Sequence, residues 1–371
     1  MSCSCFGSLS VGGKREYHHN LQEINGSLRG NIKHFTYREL NFATNNFHPS
    51  NKIGRGGFGV VFKGILKNGM QVAVKSLSVE SKQGMHEFLT EIDVVANVRH
   101  PNLVELIGYC VHGNDRILIY EYMENNSLDR ALLGHRQKNI KLDWLKRCAI
   151  CLGTAKGLAF LHEEIQPPIV HRDIKASNVL LDENLDPKIG DFGLAKFFPE
   201  NITHISTRVA GTTGYLAPEY ALQGQLTKKA DVYSFGVLLL EIVSGRSSSK
   251  ENWGGMQHSI VQWTWQLYKE ERLLELVDTD LEQYPEAEVF RYMKIALFCT
   301  QAQANRRPSM TQVVDMLSRN IRLNEKELTA PGFFEARFGS HGSSSNKNPT
   351  SDITSELMSS YPSTITQVIP R

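Results

Sequence analysis

The sequence predicts an α+β protein in which a small β-rich lobe precedes a larger helical one. Three observations carry this. Between Ile53 and about Met123, short runs rich in β-branched residues recur: Gly59–Gly64, Gln71–Ser76 and Arg116–Tyr122. One helical pattern interrupts them, with Phe88, Ile92, Val95 and Ala96 spaced i, i+4, i+7, i+8. After Met123 the periodicity is mostly helical, over Leu142–His162, Lys229–Ser244, Ser259–Glu270, Glu286–Ala302 and Ser309–Ile321. Asn125-Asn126-Ser127 supplies a helix start before Leu128. This order is not that of a doubly wound sheet; it places a ligand cleft between two lobes.

Composition narrows the function classes. The 371 residues are 41% hydrophobic and 22% charged, enough for a sizeable core. Forty-one Lys and Arg against 39 Asp and Glu leave a formal charge of +2, too balanced for a phosphate-backbone binder, so no nucleic-acid partner is expected. No apolar run approaches the roughly 20 residues of a spanning helix, and the start Met-Ser-Cys-Ser-Cys-Phe-Gly has no signal-peptide character. Six scattered cysteines form no disulfide framework and point to a reducing compartment, and Cys148 and Cys151 read as neighbours on a buried helix face. Residues 1–34 and 325–371 read as disordered tails; Ser and Thr take 12 of the 31 positions in His341–Arg371. Between them lie an extension (35–46), the first lobe (47–122) and the second (123–324).

Five motifs carry chemistry. Gly54-Arg55-Gly56-Gly57-Phe58-Gly59-Val60-Val61 lies between strand-like runs, and its glycines let backbone approach phosphates. Val72-Ala73-Val74-Lys75 puts a lysine on a strand face toward the cleft; Glu91, sixteen residues on, sits on the helix where it can pair with Lys75, with Glu87 a neighbouring candidate. His171-Arg172-Asp173-Ile174-Lys175-Ala176-Ser177-Asn178 follows Pro167-Pro168 and is a loop. Asp191-Phe192-Gly193 and Ala217-Pro218-Glu219 follow in turn.

In this order and spacing the motifs resemble the eukaryotic protein kinases, over roughly Phe47–Ile321. The resemblance implies the bilobal kinase fold with ATP in the hinge cleft, and protein substrates phosphorylated on Ser or Thr. It makes Asp173 the residue that orients the substrate hydroxyl and takes its proton, and Lys175 the neutraliser of the transferring phosphoryl. Asn178 and Asp191 become the Mg²⁺ ligands, with Mn²⁺ an alternative, and Lys75 with Glu91 the phosphate-positioning pair. Nucleotide contacts would come from Ile53 through Val61, from Ala73 and Leu180 around the adenine, and from Glu121 and Met123 in the hinge. Asp231 would hold the catalytic loop, and Glu219 with Arg307 would form an ion pair below the activation segment.

Lys175 and Gly211-Thr212-Thr213-Gly214-Tyr215 favour Ser/Thr over Tyr specificity, Thr212 being placed to bond Asp173 and Lys175. A dual-specificity kinase and a pseudokinase scaffold are the alternatives; the presence of Lys75, Asp173, Asn178 and Asp191 weighs against the second. Ser177 stands where arginine-directed relatives carry an acidic residue, so no basic substrate motif is implied. Phe35-Thr-Tyr-Arg-Glu-Leu, Ile107-Gly-Tyr-Cys110 and Tyr120-Glu-Tyr-Met123 resemble the plant receptor-like kinases, in their cytoplasmic branch. That implies signalling below a receptor kinase or a stress such as cold. Arg172 and Lys196 would receive a phosphate on Thr207 or Ser206, and Thr212 would be needed structurally. Ser2 excludes N-myristoylation. Cys3 and Cys5, with Lys14 and Arg15 behind them, are expected acylation sites at the cytoplasmic face of the plasma membrane, with cytoplasm the alternative.

Overall fold

The computed structural model describes residues 32–56, 59–77, 82–96, 98–133, 140–199, 201–248, 259–319, 321–332 and 364–366. It divides into two compact units, one from Met1–Arg99 with Glu105–Glu121, the other from His100–Val104 with Tyr122–Arg371.

The first unit is a six-stranded sheet of order β1-β5-β6-β4-β3-β2. Its strands are β1 (Lys33–His34), β2 (Lys52–Gly56), β3 (Gly59–Ile65), β4 (Gln71–Leu77), β5 (Leu106–His112) and β6 (Asp115–Glu121). All pair antiparallel except β1, which runs parallel to the outer edge of β5. Gly108 permits that pairing, because a Cβ there would lie 2.3 Å from the Lys33 carbonyl oxygen. Strand β1 thus occupies Lys33 and His34, within the segment expected to be a disordered tail.

Along β4 the buried Val72 and Val74 alternate with Ala73 and Lys75, the two-residue period of a strand. The Val face packs with Phe35, Leu40, Cys110, Ile117 and Ile119. Phe35 and Leu40 come from the N-terminal extension, whose helix α1 (Tyr37–Ala43) opens on a Thr36–Glu39 capping box. The extension is thus part of this core. Helix α2 (Lys82–Val95) buries Phe88, Ile92 and Val95, as the periodicity predicts.

The second unit is mainly helical: α3 (Leu128–Leu133), α4 (Trp144–Ala159), α5 (Pro218–Gln223), α6 (Lys228–Ser244), α7 (Ile260–Lys269), α8 (Glu286–Cys299) and α9 (Met310–Ser318). Helix α6 is its axis: every residue from Ala230 to Ser244 is buried, the signature of a helix enclosed on all sides. Gly236 lets α8 approach closely, since a Cβ would meet Cys299 Cβ at 2.7 Å. Side-chain caps from Asp143, Thr227, Ser259 and Ser309 start α4, α6, α7 and α9. The helical run after α4 widens to a π-turn at Phe160–Glu164.

Short strands carry the loops: β7 (Ile169–Val170), β8 (Val179–Leu181), β9 (Pro187–Ile189), β10 (Lys196–Phe197), β11 (Ile205–Ser206), β12 (Ala210–Thr212), β13 (Gln225–Leu226) and β14 (Thr364–Thr366). Beyond Asn324 the chain stays packed as far as Gly332, contrary to the expected disordered tail from 325. The Tyr233 hydroxyl donates to the Gly332 carbonyl at 2.7 Å, and the Gln301 side chain accepts from the Thr329 amide and hydroxyl. No helix of the described residues is long and apolar enough to cross a membrane.

Candidate active site

In the first unit, β2 and β3 form the hairpin of the glycine-rich segment, with Arg55 opposite Val60 and Gly56 opposite Gly59. Ile53 and Gly54 lie on β2 and Val61 on β3; Gly57 and Phe58 lie outside the described residues. Gly59 is demanded by the fold: its φ is +138°, and a Cβ would fall 2.1 Å from the Ser76 carbonyl oxygen. Gly56 is not, because a Cβ there would meet nothing within 4 Å. Val61 and Leu118 flank Lys75 across the sheet, and Ala73 pairs with Tyr120. Lys75 Nζ reaches both oxygens of the fully buried Glu91 at 3.0 Å, which selects Glu91 over Glu87 as its partner. Glu121 ends β6.

In the second unit, the loop His171–Asn178 hangs from one buried carboxylate. Asp231, in the first turn of α6, accepts the His171 amide at 2.7 Å and the Arg172 amide at 2.8 Å. His162, placed by the π-turn, donates to the same group at 2.9 Å. Burial works to raise the Asp231 pKa, but the histidine and the amide bonds outweigh it and hold the carboxyl below its ordinary value. Arg172 takes the left-handed conformation, φ +72°, which turns the chain at Asp173.

Asp173 is enclosed by donors. Thr212 Oγ1 donates to Oδ1 at 2.6 Å; Lys175 Nζ and Asn178 Nδ2 approach Oδ2 at 2.8 and 3.1 Å. Lys175 also donates to Thr212 Oγ1 at 2.8 Å, closing the network. Because the Asn178 amide nitrogen is directed at Asp173, its carbonyl oxygen is left as an acceptor. The β8–β9 hairpin pairs Val179 with Ile189, and the Gly190 amide donates to the Asn178 carbonyl at 2.9 Å. Asp191, at φ +66°, therefore follows directly beside Asn178. His171 donates to the Gly190 carbonyl at 3.1 Å and meets the Phe192 ring edge-on. Leu180 lies on β8, and Met123 is buried at the start of this unit.

A second cluster is cationic. Arg172 donates to Tyr220 Oη and to the carbonyls of Leu194 and Arg208. Lys196 donates to Thr207 Oγ1 at 3.0 Å. Burial, and then the Arg172 charge, hold the Lys196 pKa below its ordinary value. Ser206 lies on β11, exposed. Arg307 and Glu219 form a two-bond ion pair at 2.7 and 2.8 Å. Sequence reasoning missed His162 and Tyr220: neither lies in the catalytic-loop string, and both act across more than 45 residues of chain. Cys3 and Cys5 lie outside the described residues, and Cys148 and Cys151 are free thiols on α4.

A β-sheet lobe, a helical lobe and an aspartate–lysine–asparagine loop held on a buried helix define the protein kinase class. The family model "Protein tyrosine and serine/threonine kinase" matches residues 47–317, and the chain belongs to that family. It is 54% identical over 315 residues to cold-responsive protein kinase 1 of Arabidopsis thaliana, covering 84% of this chain and 81% of that one. It is also 52% identical over 299 residues to a probable LRR receptor-like serine/threonine-protein kinase of the same plant. That match covers 81% of this chain but 29% of the receptor, so the chain spans about three-tenths of such relatives. The chain falls among the serine/threonine members of the family.

Proposed function

We propose that the chain transfers the γ-phosphate of ATP to Ser and Thr hydroxyls through the residues gathered around Asp173. Asp173 aligns the acceptor hydroxyl and takes its proton. Lys175, already paired to Asp173 and Thr212, offsets charge on the phosphoryl group in transfer. Lys75, fixed by Glu91, positions the nucleotide phosphates, and the unfilled space at Gly56 admits them close to backbone. The remaining nucleotide contacts fall to Ile53–Val61, Ala73, Glu121, Met123 and Leu180. Asn178 and Asp191, the second following the Gly190 whose amide bonds the Asn178 carbonyl, offer hard oxygen donors, a set that fits Mg²⁺ or Mn²⁺. The bound cation would supply charge neutralisation to the phosphates.

The observation that carries this reading is the closed Asp173–Lys175–Thr212–Asn178 network. Its test is incubation with labelled ATP, Mg²⁺ and casein, followed by phosphoamino-acid analysis. Asp173→Asn is expected to lower labelling by about 10²-fold or more, the scale of a lost acid–base group. Equal labelling by the variant overturns the assignment, and abundant phosphotyrosine makes the enzyme dual-specific.

We propose further that it signals at a membrane, a reading supported by the likeness to receptor-like kinases and by Cys3 and Cys5 with Lys14 and Arg15 behind them. Two acyl chains anchor where one does not. Replacing both cysteines with Ser should move the protein to the soluble fraction.

A further inference from the structure

Between Glu23 and Glu80 the chain carries eight Lys or Arg and a single carboxylate, Glu39, although its formal charge as a whole is only +2. Charge gathered in this way marks a surface that meets the opposite sign. Lys75 is spent on Glu91. Lys33, Arg38, Lys52 and Lys67 are exposed, and the fold of the first unit brings them together about α1.

Arg38 and Phe42 stand four residues apart on α1 and share one face of it, while Leu40 turns the other way into the core. Phe42 is 74% exposed. A single exposed ring is ordinary, so its surroundings decide what it means. Lys33 and Lys67 both act on Glu39, whose carboxyl is held below its ordinary pKa first by its bonds to Thr36 and then by these two charges. Thr44 closes the helix over Gly64 of β3, where a Cβ would meet it at 3.5 Å. The β3–β4 turn, with Lys67 and the 46% exposed Met70, therefore lies beside α1. Lys52 opens β2 next to Asn51, whose side chain donates to the Thr44 carbonyl at 2.9 Å. The carboxylates on this side are Glu39, taken up in its capping box, and Asp115 at the β5–β6 turn.

An exposed ring among Lys and Arg is the composition of a surface that lies in the headgroup layer of an anionic bilayer. The ring enters the acyl boundary and the cations stay with the phosphates. The chain also leads there. It enters β1 only 28 residues after Cys5, so an acyl anchor would keep this face within about 100 Å of a bilayer, at an effective concentration near the millimolar range. We infer that the outer face of α1, carrying Phe42 among Lys33, Arg38, Lys52 and Lys67, is a docking surface for anionic lipid. The inference deepens the membrane reading above and rests on it, but the surface itself needs no acyl chain. One acyl chain alone binds reversibly, and a basic, partly apolar face of this kind supplies a second signal.

The test uses the full chain with Cys3→Ser and Cys5→Ser, so that no acyl chain takes part, and sedimentation with lipid vesicles. The vesicles are phosphatidylcholine alone or with about one-third phosphatidylserine. Binding is expected to the anionic vesicles and to weaken as salt rises. Phe42→Ser, and separately the triple variant Lys33→Gln, Arg38→Gln, Lys67→Gln, are each expected to lower the partition coefficient at least about tenfold. Phe42→Trp should keep it and be quenched by brominated lipid more than the parent chain. These side chains lie outside the catalytic loop, so retained casein labelling checks that each variant is folded. Equal binding by Phe42→Ser overturns the inference. So does equal binding by the triple variant, which would assign the attraction to Lys14, Arg15 and Arg29 instead. A parent chain that ignores anionic vesicles and forms a dimer dissolved by Phe42→Ser gives this face to a second copy and overturns it too. The acylation reading is judged apart, by whether replacing the cysteines moves the protein to the soluble fraction.

Discussion

Around Asp173 every partner is a donor, whereas at the adjacent Arg172 and at Lys196 every partner is a neutral acceptor. Thr212, Lys175 and Asn178 satisfy the carboxylate with a full cation among them. Arg172 and Lys196 have carbonyls, a phenol and a threonine hydroxyl, and no carboxylate among the contacts described above. The first cluster is electrically complete in the protein alone. The second holds two positive charges together against their repulsion, which adds to burial in lowering the Lys196 pKa. A phosphate on Thr207, the hydroxyl that Lys196 already touches, would supply the missing anion, and the variants below test that expectation.

Breaking the complete cluster should cost most. Thr212→Ala removes one donor from Asp173 and the shared contact with Lys175, and we expect a loss of activity of about 10²-fold, measured as casein phosphorylation. Thr212→Asp should not restore it, because a second carboxylate would face Asp173. Recovery in Thr212→Asp would show that the threonine acts through a phosphate and not through its hydroxyl.

The incomplete cluster should respond less, and only after activation. Thr207→Ala and Lys196→Ala are each expected to lower the activity of ATP-preincubated enzyme by about tenfold, with the double variant little worse than either. Additive losses would separate the two residues. Lys196 is a cleaner probe than Arg172, whose guanidinium also anchors Leu194, Arg208 and Tyr220 whether or not phosphate is present.

Glu241 sharpens the contrast from a third side, with the smallest expected effect. This fully buried carboxyl takes hydrogen bonds from a phenol, Tyr215, and an amide, Ser248. Burial pushes its pKa up to about 7, against the lowering influence of those bonds. Between about pH 4.5 and 7 the native state therefore keeps a proton that the unfolded chain has released, and stability falls as pH rises through that window. Glu241→Gln should flatten the decline, read as Tm against pH. Parallel profiles for the two proteins would show that the carboxyl is ionised throughout.

Much of this site was legible because kinase chemistry is written in short strings. Lys75, Asp173, Asn178 and Asp191 sit in local motifs, and the choice of Glu91 over Glu87 came from the family's usual placing of a glutamate three after Phe88. Contacts across long separations were legible only through the family resemblance, as for Thr212 with Asp173 and Arg307 with Glu219. His162 and Tyr220 had neither signal. Strand β5 was missed because its Leu-Ile-Gly-Tyr-Cys-Val run is buried on both faces and shows no alternation. The packed turn up to Gly332 was missed because side chains of α6 and of the segment after α8 hold it, while its own residues resemble a linker.

The cover over the Val72–Val74 face has a practical corollary for anyone isolating the catalytic part. A fragment cut at residue 47, where the family match begins, would lack Phe35 and Leu40. Each forfeits about 1.5–3 kcal/mol of burial, and Val72, Val74, Cys110, Ile117 and Ile119 would lose apolar neighbours on one side. Removal of β1 would also leave the outer edge of β5 unpaired. Such a fragment would combine a greasy sheet face with an open strand, the pairing of features that drives proteins out of solution. A fragment that keeps this cover must begin no later than Lys33, fourteen residues ahead of the family boundary.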